Sequence, residues 1–184
     1  GKVSAAVGAS ELIRRFSPDC IVSTGVAGGI DACLKVTDVV ASQRLVYHDV
    51  WCGDGNEYGQ VQGFPASYEG CSSLLKHALS LNEAGMESRI HSGLVCTGDQ
   101  FITNRTELDT IKQRFPDGLA VDMESAAIAQ ICYLYNVPFL SFRIISDTPG
   151  VEDHASQYAD FWGTMAERSF LTIWTFLSTL PSNL

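Results

Sequence analysis

Basic residues are scarce in this chain of 184 residues. It carries 12 lysines and arginines against 21 aspartates and glutamates, and its formal net charge is −9. A protein that binds duplex nucleic acid needs a basic face, so the sequence predicts no nucleic-acid partner. A free nucleoside is still possible as a ligand, because it has no phosphate group for an acidic protein to repel.

Close cysteine pairs, a signal peptide and long apolar runs are also missing. The six cysteines are widely and irregularly spaced, with neither a CxxC pair nor a Cys/His cluster. We expect them to be reduced and mostly buried. Because no apolar run approaches the length of a membrane span and no signal peptide opens the sequence, we expect a cytoplasmic enzyme without a membrane partner.

Metal-ligand spacing and the nucleophilic serine motif GxSxG are absent as well. The four histidines are scattered along the chain, and no Cys/His pair is evident. We therefore expect no metal, no cofactor and no covalent intermediate.

The composition predicts a single domain over residues 1–184. Hydrophobic residues make up 46% of the chain and charged residues 18%, which supplies a sizeable core and excludes intrinsic disorder. The sequence opens at Gly1 in a helical pattern with no strand before it. We therefore expect that an N-terminal segment carrying sheet strands precedes Gly1.

Strand and helix patterns alternate along the chain. The predicted strands are 19–25, 38–47, 88–96, 119–121 and 137–145, and the predicted helices are 2–16, 70–81, 104–115, 122–135 and 153–180. We expect Asn104 to be the N-cap of the third helix. Such alternation is typical of βαβ units and predicts an α/β fold in which helices flank a largely parallel sheet. Ligands of these sheets bind at the carboxyl ends of the strands, and four unusual motifs follow strands in this sequence.

Two of these motifs fit a binding role but also have simpler explanations. In TGVAGG (24–29) the glycines allow the backbone to approach a ligand closely, or merely to form a tight turn. The motif matches neither the dinucleotide-binding GxGxxG pattern nor the phosphate-binding GxxxxGKS/T pattern, which excludes both classes. In TGDQFI (97–102), Phe101 either stacks on a planar base or packs in the core.

The third motif, VDMESAA (121–127), places two carboxylates where a strand passes into a helix. Asp122 and Glu124 either stabilise the helix start or accept the hydrogen bonds of a vicinal diol, with Met123 as an apolar floor. Arg143, on a later apolar strand, needs a carboxylate partner if it is buried, and we expect that partner to be Asp122 or Glu124.

The fourth motif, RIISD (143–147), ends a strongly apolar strand in Ser146 and Asp147. A carboxyl group at the end of a buried strand can act as a general acid. The alternative is that Asp147 caps the turn predicted at Pro149-Gly150.

Taken in order, these motifs resemble those of the nucleoside phosphorylase/nucleosidase superfamily and, within it, of the methylthioadenosine/S-adenosylhomocysteine nucleosidases. The matching segments cover nearly the whole chain and are Gly1-Lys2-Val3, TGVAGG (24–29), YHD (47–49), EYGQ (57–60), TGDQFI (97–102), VDMESAA (121–127) and RIISD (143–147). The resemblance implies a mixed, twisted central sheet flanked by helices, and a homodimer. It also implies hydrolysis of the N-glycosidic bond of 5′-thio-substituted adenosines, with release of adenine.

On the base side, the resemblance implies a role for each matching residue. Asp147 corresponds to the general acid that protonates N7 of the leaving adenine, and Ser146 to a residue that orients it. Phe101 corresponds to the residue that stacks on the purine. The backbone of Ile102 corresponds to the group that reads the adenine edge.

On the sugar side, the resemblance implies that Glu124 binds the ribosyl hydroxyls and that Met123 contacts the sugar. Asp122 stands where these enzymes commonly have glutamate, and Val26 where they usually have serine, so a hydroxyl group that could bond the attacking water or phosphate is absent. The family also positions water with a glutamate near its N-terminus. That part of the pattern lies before Gly1, so a protein beginning there is expected to be inactive.

Water is favoured over phosphate as the nucleophile. A phosphorylase needs a phosphate site, which is best built from arginine. The related purine phosphorylases have an arginine three residues before the serine position, and those two positions are Ser23 and Val26 in this chain. A phosphate-dependent purine nucleoside phosphorylase and a catalytically inactive nucleoside-binding module remain the alternatives.

The loop from Trp51 to Phe64 carries aromatic residues among glycine and glutamine. Exposed aromatics suit an interface core, so we expect this loop to contribute to a homodimer contact. In the resembling family the corresponding loop crosses to the neighbouring subunit. The alternative is a loop that folds back on its own chain.

Overall fold

A computed structural model of the chain describes residues 1–85, 88–148 and 154–181. Its helices are α1 (Lys2–Phe16), α2 (Ser72–Ser80), α3 (Arg105–Arg114), α4 (Ser125–Tyr135), α5 (His154–Asp160) and α6 (Ala166–Ser178). Its strands are β1 (Ile21–Gly29), β2 (Val39–Tyr47), β3 (Tyr68–Glu69), β4 (Ile90–Thr97), β5 (Gly118–Asp122) and β6 (Phe139–Asp147).

Five strands pair in a closed ring. β2 with β4, β4 with β5, and β1 with β6 are parallel, whereas β1 with β5 and β2 with β6 are antiparallel, and β3 adds to β2 antiparallel. The three longest pairings are parallel, as the alternation of elements predicts, whereas the shorter antiparallel pairings are not predicted by it. The mixed sheet flanked by helices that the resemblance implies is confirmed.

Three apolar clusters attach the helices to this sheet. The first joins α1 and α4 to β1, β2 and β6, the second joins α2 and α6 to β2 and β6, and the third joins α3 to β4 and β5. In the second cluster the rings of Phe142 and Phe176 stack with their centroids 4.8 Å apart. These contacts bury one face of α1, α2, α3, α4 and α6, and such packing is where most helix stability in a folded protein originates.

β1 and β6 both extend beyond their predicted ends. The glycine motif lies within β1, and Ser146 and Asp147 are the last residues of β6 and do not follow it. The reason is the parallel pairing of the two strands, which continues to Gly28 opposite Asp147. Gly25 pairs with Arg143, and a Cβ at this position would lie 2.2 Å from Arg143 Nη1, so the glycine makes room for the guanidinium.

The helices begin and end close to the predicted residues, with two exceptions. The prediction that Asn104 caps α3 is confirmed, because its side chain accepts a hydrogen bond from the Glu107 N–H at 3.0 Å. α4 begins three residues later than predicted, because Asp122 still belongs to β5. The predicted C-terminal helix is interrupted by a π-helical turn at Phe161–Met165, and its predicted start at Asp153 lies outside the described residues.

The cysteines are less buried than expected. All six are free, but only Cys96 and Cys132 are buried, whereas Cys33 and Cys52 are exposed because they lie in loops outside the sheet. Across residues 1–85, 88–148 and 154–181, no helix is long and apolar enough to cross a membrane.

Candidate active site

One cavity of about 210 Å³ brings together all eight residues that the sequence proposes for the site. They come from the ends of three strands and from the segments that follow β4 and β5: Val26, Phe101, Ile102, Asp122, Met123, Glu124, Ser146 and Asp147. Ala27, Gly28, Gln100, Val121 and Tyr158 complete the lining. Residues separated by up to 121 positions therefore converge on one site, as expected for strand ends in an α/β sheet.

A β-bulge at the end of β6 explains why two consecutive residues line the same cavity. Ala27 pairs with Ile145 and Gly28 with Asp147, so Ser146 is the unpaired residue of the bulge. In a regular strand neighbouring side chains point to opposite faces, and a bulge re-aims one of them. The Ser146 hydroxyl donates a hydrogen bond to Asp147 Oδ1 at 2.6 Å, and both residues are buried.

Arg143 forms a buried ion pair with Asp122. Arg143 Nε lies 2.8 Å from Asp122 Oδ2, and the two side chains are 5% and 1% exposed. Arg143 Nη2 also lies 3.9 Å from Glu124 Oε2. The predicted pairing is thus confirmed, with Asp122 as the closer partner.

The Asp122 carboxylate is occupied by donors of its own chain. It accepts hydrogen bonds from Thr97 Oγ1 at 2.6 Å and from the backbone N–H and the hydroxyl of Ser125, in addition to the ion pair with Arg143. A carboxylate has about four acceptor positions, so these donors nearly saturate it. Asp122 lines the cavity but is better placed to hold Arg143 and the start of α4 than to bind a ligand.

Glu124 is more accessible than Asp122. It is the N-cap residue of α4, but its side chain makes no capping hydrogen bond, and the side chain is 36% exposed. Its Oε1 accepts a hydrogen bond from the Gly1 nitrogen at 2.6 Å, so the start of α1 lies at the edge of the cavity. Because the helix cap does not use the carboxylate, Glu124 is the carboxylate of this motif that a sugar hydroxyl can reach.

The aromatic residues lie on the side of the cavity formed by the segment after β4 and by α5. Phe101 is 55% exposed, so the alternative of a core phenylalanine is wrong, whereas Ile102 is buried. Tyr158 contacts Phe101 edge to face, with ring centroids 5.6 Å apart. No sequence signal identifies Tyr158, because it lies in a helix with no motif around it.

The charged side chains that line the cavity are acidic. Asp122, Glu124 and Asp147 contribute carboxylates, and none of the described lining residues is lysine or arginine. The nearby Arg143 is engaged by Asp122, by the Thr24 carbonyl at 3.2 Å and by the Ser23 hydroxyl at 3.2 Å. In the part of the chain that the structure describes, no group of three His, Cys, Asp or Glu side chains could hold a metal ion.

The chain belongs to the phosphorylase superfamily, whose family model matches residues 1–178. The chain is 44% identical over 157 residues to the 5′-methylthioadenosine/S-adenosylhomocysteine nucleosidase of Chromohalobacter salexigens, covering 85% of this chain and 67% of the relative. It is 39% identical over 181 residues to the enzyme of the same name from Geobacillus, covering 98% of this chain and 78% of the relative.

Solved structures agree with this assignment. The nucleosidase of Neisseria meningitidis in complex with methylthio-immucillin-A superposes with a TM-score of 0.91 at 34% identity, covering 98% of this chain and 78% of that one. The nucleosidase of Colwellia psychrerythraea in complex with adenine also gives 0.91, at 35% identity, covering 100% and 76%. Within the superfamily, this chain is thus a member of the methylthioadenosine/S-adenosylhomocysteine nucleosidases, which are N-glycosyl hydrolases.

Proposed function

We propose that the protein hydrolyses the N-glycosidic bond of 5′-methylthioadenosine and S-adenosylhomocysteine and releases adenine. The observation that carries this proposal is the convergence of Asp147, Glu124 and Phe101 on one acidic cavity. The reaction requires a general acid that protonates the leaving adenine, a carboxylate that binds the sugar hydroxyls, and an aromatic ring that stacks on the purine. The relatives that carry these names, and the adenine complex of the Colwellia enzyme, support the choice of substrate.

On the base side, we propose that Asp147 donates a proton to N7 of the leaving adenine. Breaking the bond pushes electrons into the purine, so protonation must accompany the stretching of the bond. The hydrogen bond from Ser146 fixes the orientation of the Asp147 carboxyl group. Phe101, half exposed at the cavity, offers its face to the purine, and the backbone of the neighbouring Ile102 reads the edge of the base.

On the sugar side, we propose that Glu124 accepts the hydrogen bonds of the ribosyl hydroxyls above Met123. The sugar becomes cationic as the bond breaks, and a fixed carboxylate nearby stabilises that charge. Asp122 acts indirectly, because it holds Arg143 in place, and the Arg143 guanidinium lies 3.9 Å from Glu124. Val26 forms an apolar wall of the cavity.

The nucleophile in this proposal is water. A phosphate dianion would meet three carboxylates and no basic side chain among the described lining residues, which is unfavourable for an anion. The test is to measure adenine release from methylthioadenosine by the full-length protein with and without phosphate. Release that requires phosphate would identify a phosphorylase, and binding without release would identify an inactive nucleoside-binding module.

We further propose that the protein is a homodimer. Exposed apolar residues lie on three neighbouring elements, the loop after β2, α4 and α1: Val3, Val7, Phe16, Trp51, Tyr133 and Tyr135. The rings of Phe64 in the loop and Tyr133 in α4 pack edge to face, with their centroids 6.3 Å apart. The hydroxyl oxygens of Tyr135 in α4 and Ser10 in α1 lie 3.2 Å apart, within hydrogen-bond distance. Patches of this kind mark protein interfaces.

The cellular setting is also a proposal. Free cysteines persist in reducing compartments, which favours the cytoplasm. The expected products are a purine base and a thio-substituted ribose, so the reaction would belong to purine and methionine salvage.

A further inference from the structure

The YHD motif (47–49) is a conspicuous sequence motif that the proposed mechanism does not use. Its residues do not line the cavity. They lie instead beside residues 98–102, which follow β4 and present Phe101 and Ile102 to the cavity. No helix or strand includes residues 98–102, so other contacts must hold this segment, which we call the base loop.

Asp49 makes the central contact with the base loop. Its Oδ2 accepts a hydrogen bond from the Asp99 backbone N–H at 2.9 Å. Lys2 holds the same carboxylate, because its Nζ lies 2.8 Å from both Asp49 oxygens. The Lys2 backbone N–H also donates to Asp99 Oδ1 at 2.8 Å. The Asp49 and Lys2 side chains are only 19% and 22% exposed, so this ion pair is less screened than one at the surface.

His48 supports Gly98, the residue before Asp99 in the base loop. Its ring packs against Gly98, where a Cβ would lie 2.3 Å from His48 Nε2, so only glycine fits beside the imidazole. The loop is also tied to the sheet through the Gly98 N–H, which donates to the Asp122 carbonyl at 3.0 Å. Desolvation lowers the pKa of His48, so the ring is neutral near pH 7 and needs no counter-charge in this position.

We infer that Asp49 is a positioning residue that fixes the base loop, and through it the purine, relative to the general acid Asp147. The inference rests on the proposed function. The hydrogen-bonded N–H of Asp99 lies two residues before Phe101, so loss of this bond removes one of the contacts that fix the segment that stacks on the base. A shift of about 1 Å in a reacting group can cost on the order of 100-fold in rate.

The experiment compares Asp49→Ala and Asp49→Asn in the full-length protein. Adenine binding by calorimetry reports the base loop without the chemical step, and steady-state kinetics report kcat and KM. We expect Asp49→Ala to weaken adenine binding and to lower kcat/KM, each by about 10- to 100-fold. Asp49→Asn should lose less than about fivefold, because its amide oxygen can still accept the Asp99 N–H.

The matched control is Asp109→Ala, which removes an exposed carboxylate from an ion pair with Arg105 on α3. If Asp49→Ala binds adenine within twofold of this control, the inference is wrong. Equal losses in Asp49→Ala and Asp49→Asn would also overturn it, because the charge and not the hydrogen bond to the loop would then matter. Should Asp49→Ala fail to fold, Lys2→Met, which removes the ion pair that holds Asp49, is measured in the same assays against the same control, and adenine binding within twofold of that control would contradict the inference.

The outcome separates this inference from the function on which it rests. A wild-type protein that binds adenine but releases none from methylthioadenosine contradicts the proposed function, while adenine affinity still tests the base loop. A wild-type protein that releases adenine, with Asp49→Ala and the control equal, contradicts only the role of Asp49. Wild-type protein that does not bind adenine contradicts both.

Discussion

At the scale of single residues, the general-acid proposal depends on one proton. Asp147→Asn keeps the shape of the side chain and the contact with Ser146 but removes the proton that adenine N7 must receive. We expect kcat for adenine release to fall by on the order of 100-fold or more, with adenine still bound. Turnover and calorimetry on the same preparation check this, with Asp109→Asn on α3 as the control. Near-normal turnover in Asp147→Asn would remove the residue from the role.

Glu124 offers a second test at this scale. Glu124→Gln replaces a charged acceptor with a neutral one. We expect this change to lower kcat/KM by an amount that corresponds to about 1.5–3 kcal/mol of activation free energy. Because the charge also stabilises the cationic sugar, kcat should fall and KM should rise. Steady-state kinetics separate the two constants. A change confined to KM would make Glu124 a binding residue without a part in the chemical step.

Asp122 is expected to affect stability more than binding. Asp122→Asn leaves the Arg143 guanidinium buried without its closer carboxylate, and removing one partner of a buried pair costs about 3–5 kcal/mol. Glu124, at 3.9 Å, can compensate in part, so we expect a loss near the lower end. Urea denaturation of this variant and of Asp109→Asn measures the difference. Unchanged stability together with weakened nucleoside binding would assign Asp122 to the substrate after all.

The sequence predicts which residues line the site better than it predicts the role of each residue there. All eight proposed residues line the cavity, because strand-end motifs are local and the α/β fold gathers strand ends. The sequence cannot show that Thr97 donates to Asp122, since this contact depends on the pairing of β4 with β5. Tyr158 is missed for the same reason, because only the packing of α5 brings it to Phe101.

At the scale of elements, Lys112 stabilises the connection between α3 and β5. Its Nζ donates to the Pro116 and Gly118 carbonyls at 2.9 and 2.8 Å and to Asp31 Oδ2 at 2.7 Å. The Lys112 and Asp31 side chains are about one third exposed, so solvent screens the pair. We expect Lys112→Met to lower the free energy of unfolding by about 1–2 kcal/mol at pH 7.

This effect should depend on pH. The hydrogen bond from Lys112, followed by the Cys33 backbone N–H, lowers the pKa of Asp31 from 3.8 to about 2. A lowered pKa means that the stabilisation is present above pH 3.8 and is lost as the pH falls towards 2. The gap between wild type and Lys112→Met, measured by urea denaturation, should therefore narrow below pH 4. Arg105→Met, which loses only an exposed pair, is the control, and a gap independent of pH would contradict the ionic contribution.

Element types follow from sequence more closely than element ends. Apolar runs and the Asn104 cap identify strands and α3 correctly, because these signals are local. β1 and β6 extend further than their patterns predict, since each supplies the hydrogen bonds of the other through the glycine segment. The π-helical turn between α5 and α6 has no signal in the amphipathic pattern, because the same apolar residues would suit a continuous helix.

At the scale of the whole molecule, the ring of strands depends on pairings between distant segments. β2 and β6 join through Val39 opposite Ile144, more than 100 positions apart. Alternating patterns show that strands and helices occur but not which strands pair, so they predict the parallel pairings and miss the antiparallel pairings of β1 with β5 and of β2 with β6. The family resemblance predicts the mixed sheet, because proteins that share these motifs in the same order share the same strand topology.

The homodimer is the prediction at this scale. Tyr58 and Phe64 pack within their own chain, on Phe115 and Tyr133, as the folded-back alternative expects. Trp51, however, stacks on Tyr58 and remains 54% exposed on the same loop. A large aromatic in this position suits an interface core.

A charge at this surface should therefore dissociate the dimer. We expect sedimentation of the full-length protein at micromolar concentration to show a dimer, and Trp51→Glu to shift it towards monomer, because an interface core excludes an unpaired charge. The control is Lys76→Glu, which introduces the same charge at an exposed, polar position on α2 and should leave the dimer intact. A stable, active wild-type monomer would contradict the proposal. A dimer that survives Trp51→Glu but dissociates in Val7→Glu would place the contact on α1 and not on the loop.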